Sequence, residues 1–143
     1  MARIYEKRRS PSSELMGSEF VSFDEETGEL TCRYTPPASF ASPRGAVQGG
    51  LIAGFLDEVM GGALLAVTEA RSGTAEQRLP LNLDMNLTFL RMVPMETITG
   101  KGRVVKAGKR VAFLEGELLD KDGNVLARAT SSAIPTPVPG VND

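Results

Sequence analysis

The sequence predicts an α+β domain in which an antiparallel sheet of about six strands wraps around one long apolar helix. Three observations carry this. Between residues 49 and 70, Leu51, Phe55, Val59 and Ala63 recur every fourth position, with Ile52, Leu56, Met60 and Leu64 beside them. That is a broad apolar helical stripe. From 81 to 89 the period changes to two: Leu81, Leu83, Met85, Leu87 and Phe89 alternate with Asn82, Asp84, Asn86 and Thr88, as in a strand with one dry face. Two short strand-like segments precede the helix and four follow it, an order most simply satisfied by one sheet packed on one helix.

Taken in order, residues 1–9 read as a loose lead-in. Ser10 suits a helix cap and Pro11 a first helical position, so a short helix starts there. Strands are expected at 19–23 and 29–34, joined by the polar turn 24–28. A loop with prolines at 36, 37 and 43 leads to the helix, which runs from about Gly49 to Glu69 or Ala70, roughly 30 Å at 1.5 Å per residue. After a linker at 71–77 come the strand at 81–89 and strands at 97–106 and 110–119 around the turn Ala107-Gly108-Lys109. The turn 120–123 and a last strand at 124–134 complete a single domain, 1–134. The tail 135–143 carries prolines at 135, 137 and 139 and is expected to be disordered, since proline cannot sit in a central strand.

Composition narrows the function. The net charge is −2 with no sustained Lys/Arg block, which argues against nucleic acid and anionic membrane as partners; Lys7-Arg8-Arg9 reads as a solvated tail. Cys32 is the single cysteine, so no intrachain disulfide forms. With a polar start to the chain, this points to a cytoplasmic protein and to Cys32 as an inert, partly buried strand residue. The segment 51–67 is apolar enough to suggest a membrane span. However, Asp57 and Glu58 would each cost about 2.5–3.5 kcal/mol near a bilayer centre, and a core helix is expected instead. There is no histidine. Ser-His-Asp and Cys-His nucleophiles and His-ligated metals are thereby excluded, and with one cysteine a zinc site is not expected. Acid–base chemistry falls to carboxylates, Lys, Tyr or amide-held water.

The segment 47–67 concentrates the candidate chemistry. Gly49 and Gly50 open the helix, where backbone N–H groups are free, and Asp57 and Glu58 lie two turns on. An unpaired carboxylate is costly on an apolar helix. Ala53, Asp57 and Gly61 form an i+4 row flanked by Gly54 and Gly62, so Asp57 is expected to be the inward acid and Glu58 the solvated one. Amides and carboxylate together suit acyl transfer. Read alone, the glycines equally fit close helix–sheet packing, and Asp57 a surface acid. Lys106, Lys109 and Arg110, with Arg91, would suit phosphate groups or simply a solvated hairpin, and Met60, Met85, Met92 and Met95 an adaptable pocket or core filler.

Gln48-Gly49-Gly50 with Asp57 nine residues after Gln48, the run Asn82 to Arg91, and the stretch from Gly108-Lys-Arg110 to Ala127-Arg-Ala-Thr130 together resemble the hotdog-fold acyl-CoA thioesterases, phenylacetate-type branch. The resemblance covers roughly Ser13 to Ile134. It implies hydrolysis of an acyl-CoA or acyl-carrier thioester, with no metal or redox cofactor. The amide of Gly49 would polarise the thioester carbonyl, beside Gly50. Asp57, given by the neighbouring subunit, would be nucleophile or general base. Asn82 stands where relatives place a water-orienting Ser or Thr, and Arg91, Lys106, Lys109 and Arg110 are candidates for the coenzyme A phosphates. A homo-oligomer, dimer or dimer of dimers, is implied too. Gln48 departs from the family's histidine and Met92 from its proline. The alternative from another class is a non-catalytic acyl-CoA-binding or regulatory hotdog protein that has lost catalysis with that histidine; a dehydratase is disfavoured, since it needs the histidine.

Overall fold

The computed structural model describes residues 10–73 and 76–139; the lead-in 1–9 and the end of the tail lie outside them. Ser10 caps α1 (Pro11–Leu15), its hydroxyl accepting from the Ser13 amide. Strands β1 (Ser18–Asp24) and β2 (Glu29–Tyr34) follow, then α2 (Gly49–Ser72), β3 (Arg78–Phe89), β4 (Ile98–Ala107), β5 (Ala112–Leu119) and β6 (Val125–Pro137). They form one antiparallel sheet in the order β1-β2-β4-β5-β6-β3. The six strands and single long helix are those expected from the periodicities. β3 leaves the meander to pair with β6 and so becomes an edge.

Helix α2 packs on one face of the sheet with both apolar rows inward. Phe55, Leu56, Val59, Met60, Ala63 and Leu64 are buried against Leu30, Tyr34, Ile98, Leu114 and Leu118. Burying each large apolar side chain stabilises the fold by about 1.5–3 kcal/mol. The helix can sit this deep because β4 and β5 present glycines to it. A Cβ on Gly102 would lie 2.2 Å from the Val59 carbonyl oxygen, and one on Gly116 would lie 2.9 Å from the Met60 side chain. The helix is long and apolar enough to cross a membrane by length and composition, but its apolar rows are taken up by the sheet.

Two expectations need correction. Residues 135–137 are not disordered: they extend β6, with Pro135 opposite Pro80 and Pro137 opposite Arg78. Pairing with β5 ends at Ala133, so beyond it β6 belongs to a two-stranded edge ribbon, where prolines are tolerated. The alternation in β3 is also broken. Asn82 pairs with Ala133 and Asp84 with Ser132, leaving Leu83 as an extra, bulged residue that shifts the phase of every side chain after it. Leu81 therefore lies outward opposite Ile134, while Met85 and Leu87 face the core and Asn82 faces the helix. Leu81 and Leu83 are 59% and 57% exposed.

Cys32 is buried in β2, and desolvation, then the nearby Glu58 charge, pushes its thiol up to about 12 against a weaker opposing effect of Tyr34. The folded protein should resist a thiol reagent such as DTNB at pH 8 and react fully in urea; rapid labelling of the native state would contradict this burial. Gly102→Ala should destabilise the fold by about 3 kcal/mol or more, because the displaced atoms are backbone. Urea unfolding of the variant checks this.

Candidate functional site

The start of α2 is held from several sides. Gln48 caps the helix, its side-chain oxygen accepting from the Leu51 amide at 3.1 Å. Its own amide donates to Phe40 O at 2.9 Å, and that of Val47 to Val93 O at 2.9 Å. With Leu51 N–H satisfied, the amides of Gly49 and Gly50 are those of the helix start without an intrahelical partner. Gly49 lies beside the Phe89 ring, where a Cβ would come within 3.4 Å. Gln48 thus does a fixing task that requires an acceptor atom and no titration.

β3 runs back along α2 from this point. Phe89 touches Gly49, Asn82 reaches Asp57, and Pro80 packs on Gly61. Asn82 Nδ2 donates to Asp57 Oδ1 at 2.5 Å. One carboxylate oxygen is thereby held, and the side chain is aimed along the gap between helix and edge strand. Asn82 acts on the carboxylate itself, a contact that its spacing in sequence did not reveal. The two acids are the reverse of the expectation: Asp57 is exposed and Glu58 half-buried. Glu58 accepts from the Ser13 hydroxyl at 2.6 Å and from that of Ser18. A row of small residues makes room beside α2, but the room is used by Met16 and Pro80 as well as by solvent.

Beside this face of α2 lies a groove of about 950 Å³. Asp57, Glu58 and glycines 50, 54, 61 and 62 form its floor, α1 and the start of β1 one wall, and Leu79 and Pro80 part of the other. Apolar side chains dominate the lining, among them Phe20, Phe40, Leu51 and Leu65. A small number of polar groups in an apolar cleft is the usual composition of a small-molecule site. No group of three or more potential metal ligands occurs among the described residues.

The four candidate cations are not brought together within the chain. Lys106, Lys109 and Arg110 lie at or beside the β4–β5 hairpin. Arg91 sits at the opposite end of the sheet, where its amide donates to Leu126 O and its charge acts on Asp120. Those ends are separated by the length of β5, seven residue steps or about 23 Å. Asp120 is held below the usual carboxylate range chiefly by the Asn124 side chain and then its amide. Asp84 is held low by the Ser132 hydroxyl and then its amide. Asp120 lies half-buried in the turn before β6, and Asp84 is exposed on the outer face of β3.

Residues 44–127 match the family model described as the Thioesterase superfamily. No curated protein matches the sequence. Among solved structures, the chain is similar to a phenylacetic acid degradation-related protein of Ralstonia eutropha JMP134, at 28% identity and TM-score 0.78 over 93% of this chain and 96% of that one. It shares its fold with the PaaI protein from the phenylacetic acid degradation operon of E. coli, at 17% identity and TM-score 0.77, covering 94% and 88%. It also shares it with a protein of Streptococcus mutans UA159 solved bound to acetyl CoA, at 17% identity and TM-score 0.71, covering 84% and 89%. With a six-stranded antiparallel sheet on one central helix and the glycine-opened helix inside the matched segment, the chain belongs to the thioesterase superfamily, with the hotdog fold.

Proposed function

We propose that the protein hydrolyses an acyl-CoA thioester to a carboxylic acid and free coenzyme A. The observation that carries this reading is the Asp57 carboxylate, one oxygen held by Asn82, on the floor of an apolar groove that follows the glycine-opened start of α2. The Gly49 amide would donate to the thioester carbonyl oxygen, which becomes an oxyanion as the carbonyl carbon turns tetrahedral; a preorganised donor there is worth about 3–4 kcal/mol. Asp57 would take a proton from water as the water oxygen attacks, or attack the carbon itself to form an acyl anhydride that water then hydrolyses, returning the free carboxylate. Collapse of the intermediate breaks the C–S bond, and the departing sulfur is protonated. With Oδ1 occupied by Asn82, Oδ2 is the oxygen left for this task. One fold relative solved bound to acetyl CoA and another solved with coenzyme A support a coenzyme A carrier.

Gly49 and Asp57 of one chain lie eight residues apart on a continuous helix, about 12 Å along its axis, a long span for one thioester carbonyl and its attacking water. The reading therefore uses two subunits, with Gly49 of one facing Asp57 of the other. The exposed β3 edge, with Leu81 and Leu83 uncovered, offers a self-complementary surface for a dimer. The basic hairpin of one subunit would likewise be the element to meet coenzyme A phosphates, since the cations do not converge within a chain. A cytoplasmic setting suits this chemistry. Gln48, in place of the family's histidine, favours a second reading: a non-catalytic acyl-CoA-binding or regulatory protein.

Wild-type protein should release free thiol from an acyl-CoA panel, aromatic and aliphatic, and Asp57→Asn should lower kcat by about 10²–10⁴-fold with fold and assembly intact. Near-wild-type kcat in the variant would overturn the role of Asp57, and acyl-CoA binding without release would favour the binding protein. Light scattering at micromolar concentration should give a dimer or a dimer of dimers; a monomer would overturn the two-subunit site.

A further inference from the structure

One wall of the groove is a short, weakly anchored segment, and Glu58 holds it. Helix α1 has five residues, none of them buried, too few to be helical without support. Among the described residues, its side-chain hydrogen bond to α2 is that of Ser13 to Glu58, at 2.6 Å. The same carboxylate accepts from Ser18, at the start of β1. Glu58 thus grips the chain on both sides of Leu15 and Met16. Met16 is buried over Gly54, where a Cβ would lie 3.6 Å from its Sδ, and Leu15 is exposed at the same wall. Both side chains line the groove that holds Asp57.

We infer that Glu58 is a positioning residue that sets the acyl selectivity of this groove, by clamping Ser13 and Ser18 so that Leu15 and Met16 form a fixed wall. The inference rests on the reading of the groove as the acyl site. Because the lining is apolar apart from the acids and serines, the group accommodated is an apolar acyl group, and the wall limits its bulk. Glu58 needs no contact with the reacting atoms. It acts by the position of α1, as the neighbouring Asp57 acts by its own carboxylate. Shape-limited pockets discriminate by about tenfold or more for each added methylene, so a wall that moves by the width of a methyl group alters preference measurably.

The test is the Kd of a graded series of acyl-CoAs, from acetyl to long-chain and aryl, read by calorimetry for the wild type, Glu58→Ala, Ser13→Ala/Ser18→Ala and Glu58→Gln. Glu58→Ala and the double serine variant should each shift the long-to-short Kd ratio by about tenfold toward bulky groups, with faster amide exchange over residues 10–17. Glu58→Gln, which still offers an acceptor and a donor to two hydroxyls, should restore the wild-type order. An unchanged ratio, or a uniform weakening across the series, overturns the inference. Hydrolysis is read separately: an altered Kd order without thiol release by the wild type would sink the hydrolase reading alone, whereas failure of the wild type to bind any acyl-CoA would overturn both.

Discussion

The contact between the backbone of α2 and that of β4 governs the rest of the molecule. At Gly102 the strand offers no side chain, and the Val59 carbonyl comes so close that even a methyl group has no place. Interiors pack at crystal density, so this single approach fixes the depth and lateral position of a helix of 24 residues. With the helix seated there, its two apolar rows meet β2, β4 and β5, and its small-residue side falls beside the β3 edge. The groove is what remains between that side, α1 and β3.

The same placement explains why a charged pair is tolerated on an apolar helix. Neither acid enters the core. Asp57 faces the gap toward β3 and meets Asn82, and Glu58 faces α1 and meets two serine hydroxyls. Hydrogen bonds to an ionised group are stronger than neutral ones and satisfy its oxygens. Neighbours in sequence thus have separate tasks because they lie about 100° apart around the helix. One carboxylate stays open to a ligand, and the other is spent on holding the wall that a ligand would touch.

Gln48 shows how little the start of α2 asks of the residue that caps it. Its side chain caps the helix through the Leu51 amide, and its backbone ties the loop to Phe40. An acceptor atom suffices for both. The loop that presents Gly49 is therefore held by a residue that gains and loses no proton near neutral pH.

The sequence by itself determined the fold class, the six strands, the span of the long helix and its buried rows, because these follow from local periodicity of 3.6 and 2. It also placed Gly49 at the helix start, Asp57 two turns on, and the Asp120 turn, all of which are short-range. Tertiary structure decided the rest. The Leu83 bulge depends on β6 as a partner, so an alternation that looks perfect in sequence changes face within the strand. The prolines 135 and 137 join a sheet because β5 has ended there. Asn82 finds Asp57, and Ser13 and Ser18 find Glu58, across 25 to 45 residues of chain. No spacing rule encodes such meetings; they are set by where a glycine lets the helix rest against the sheet.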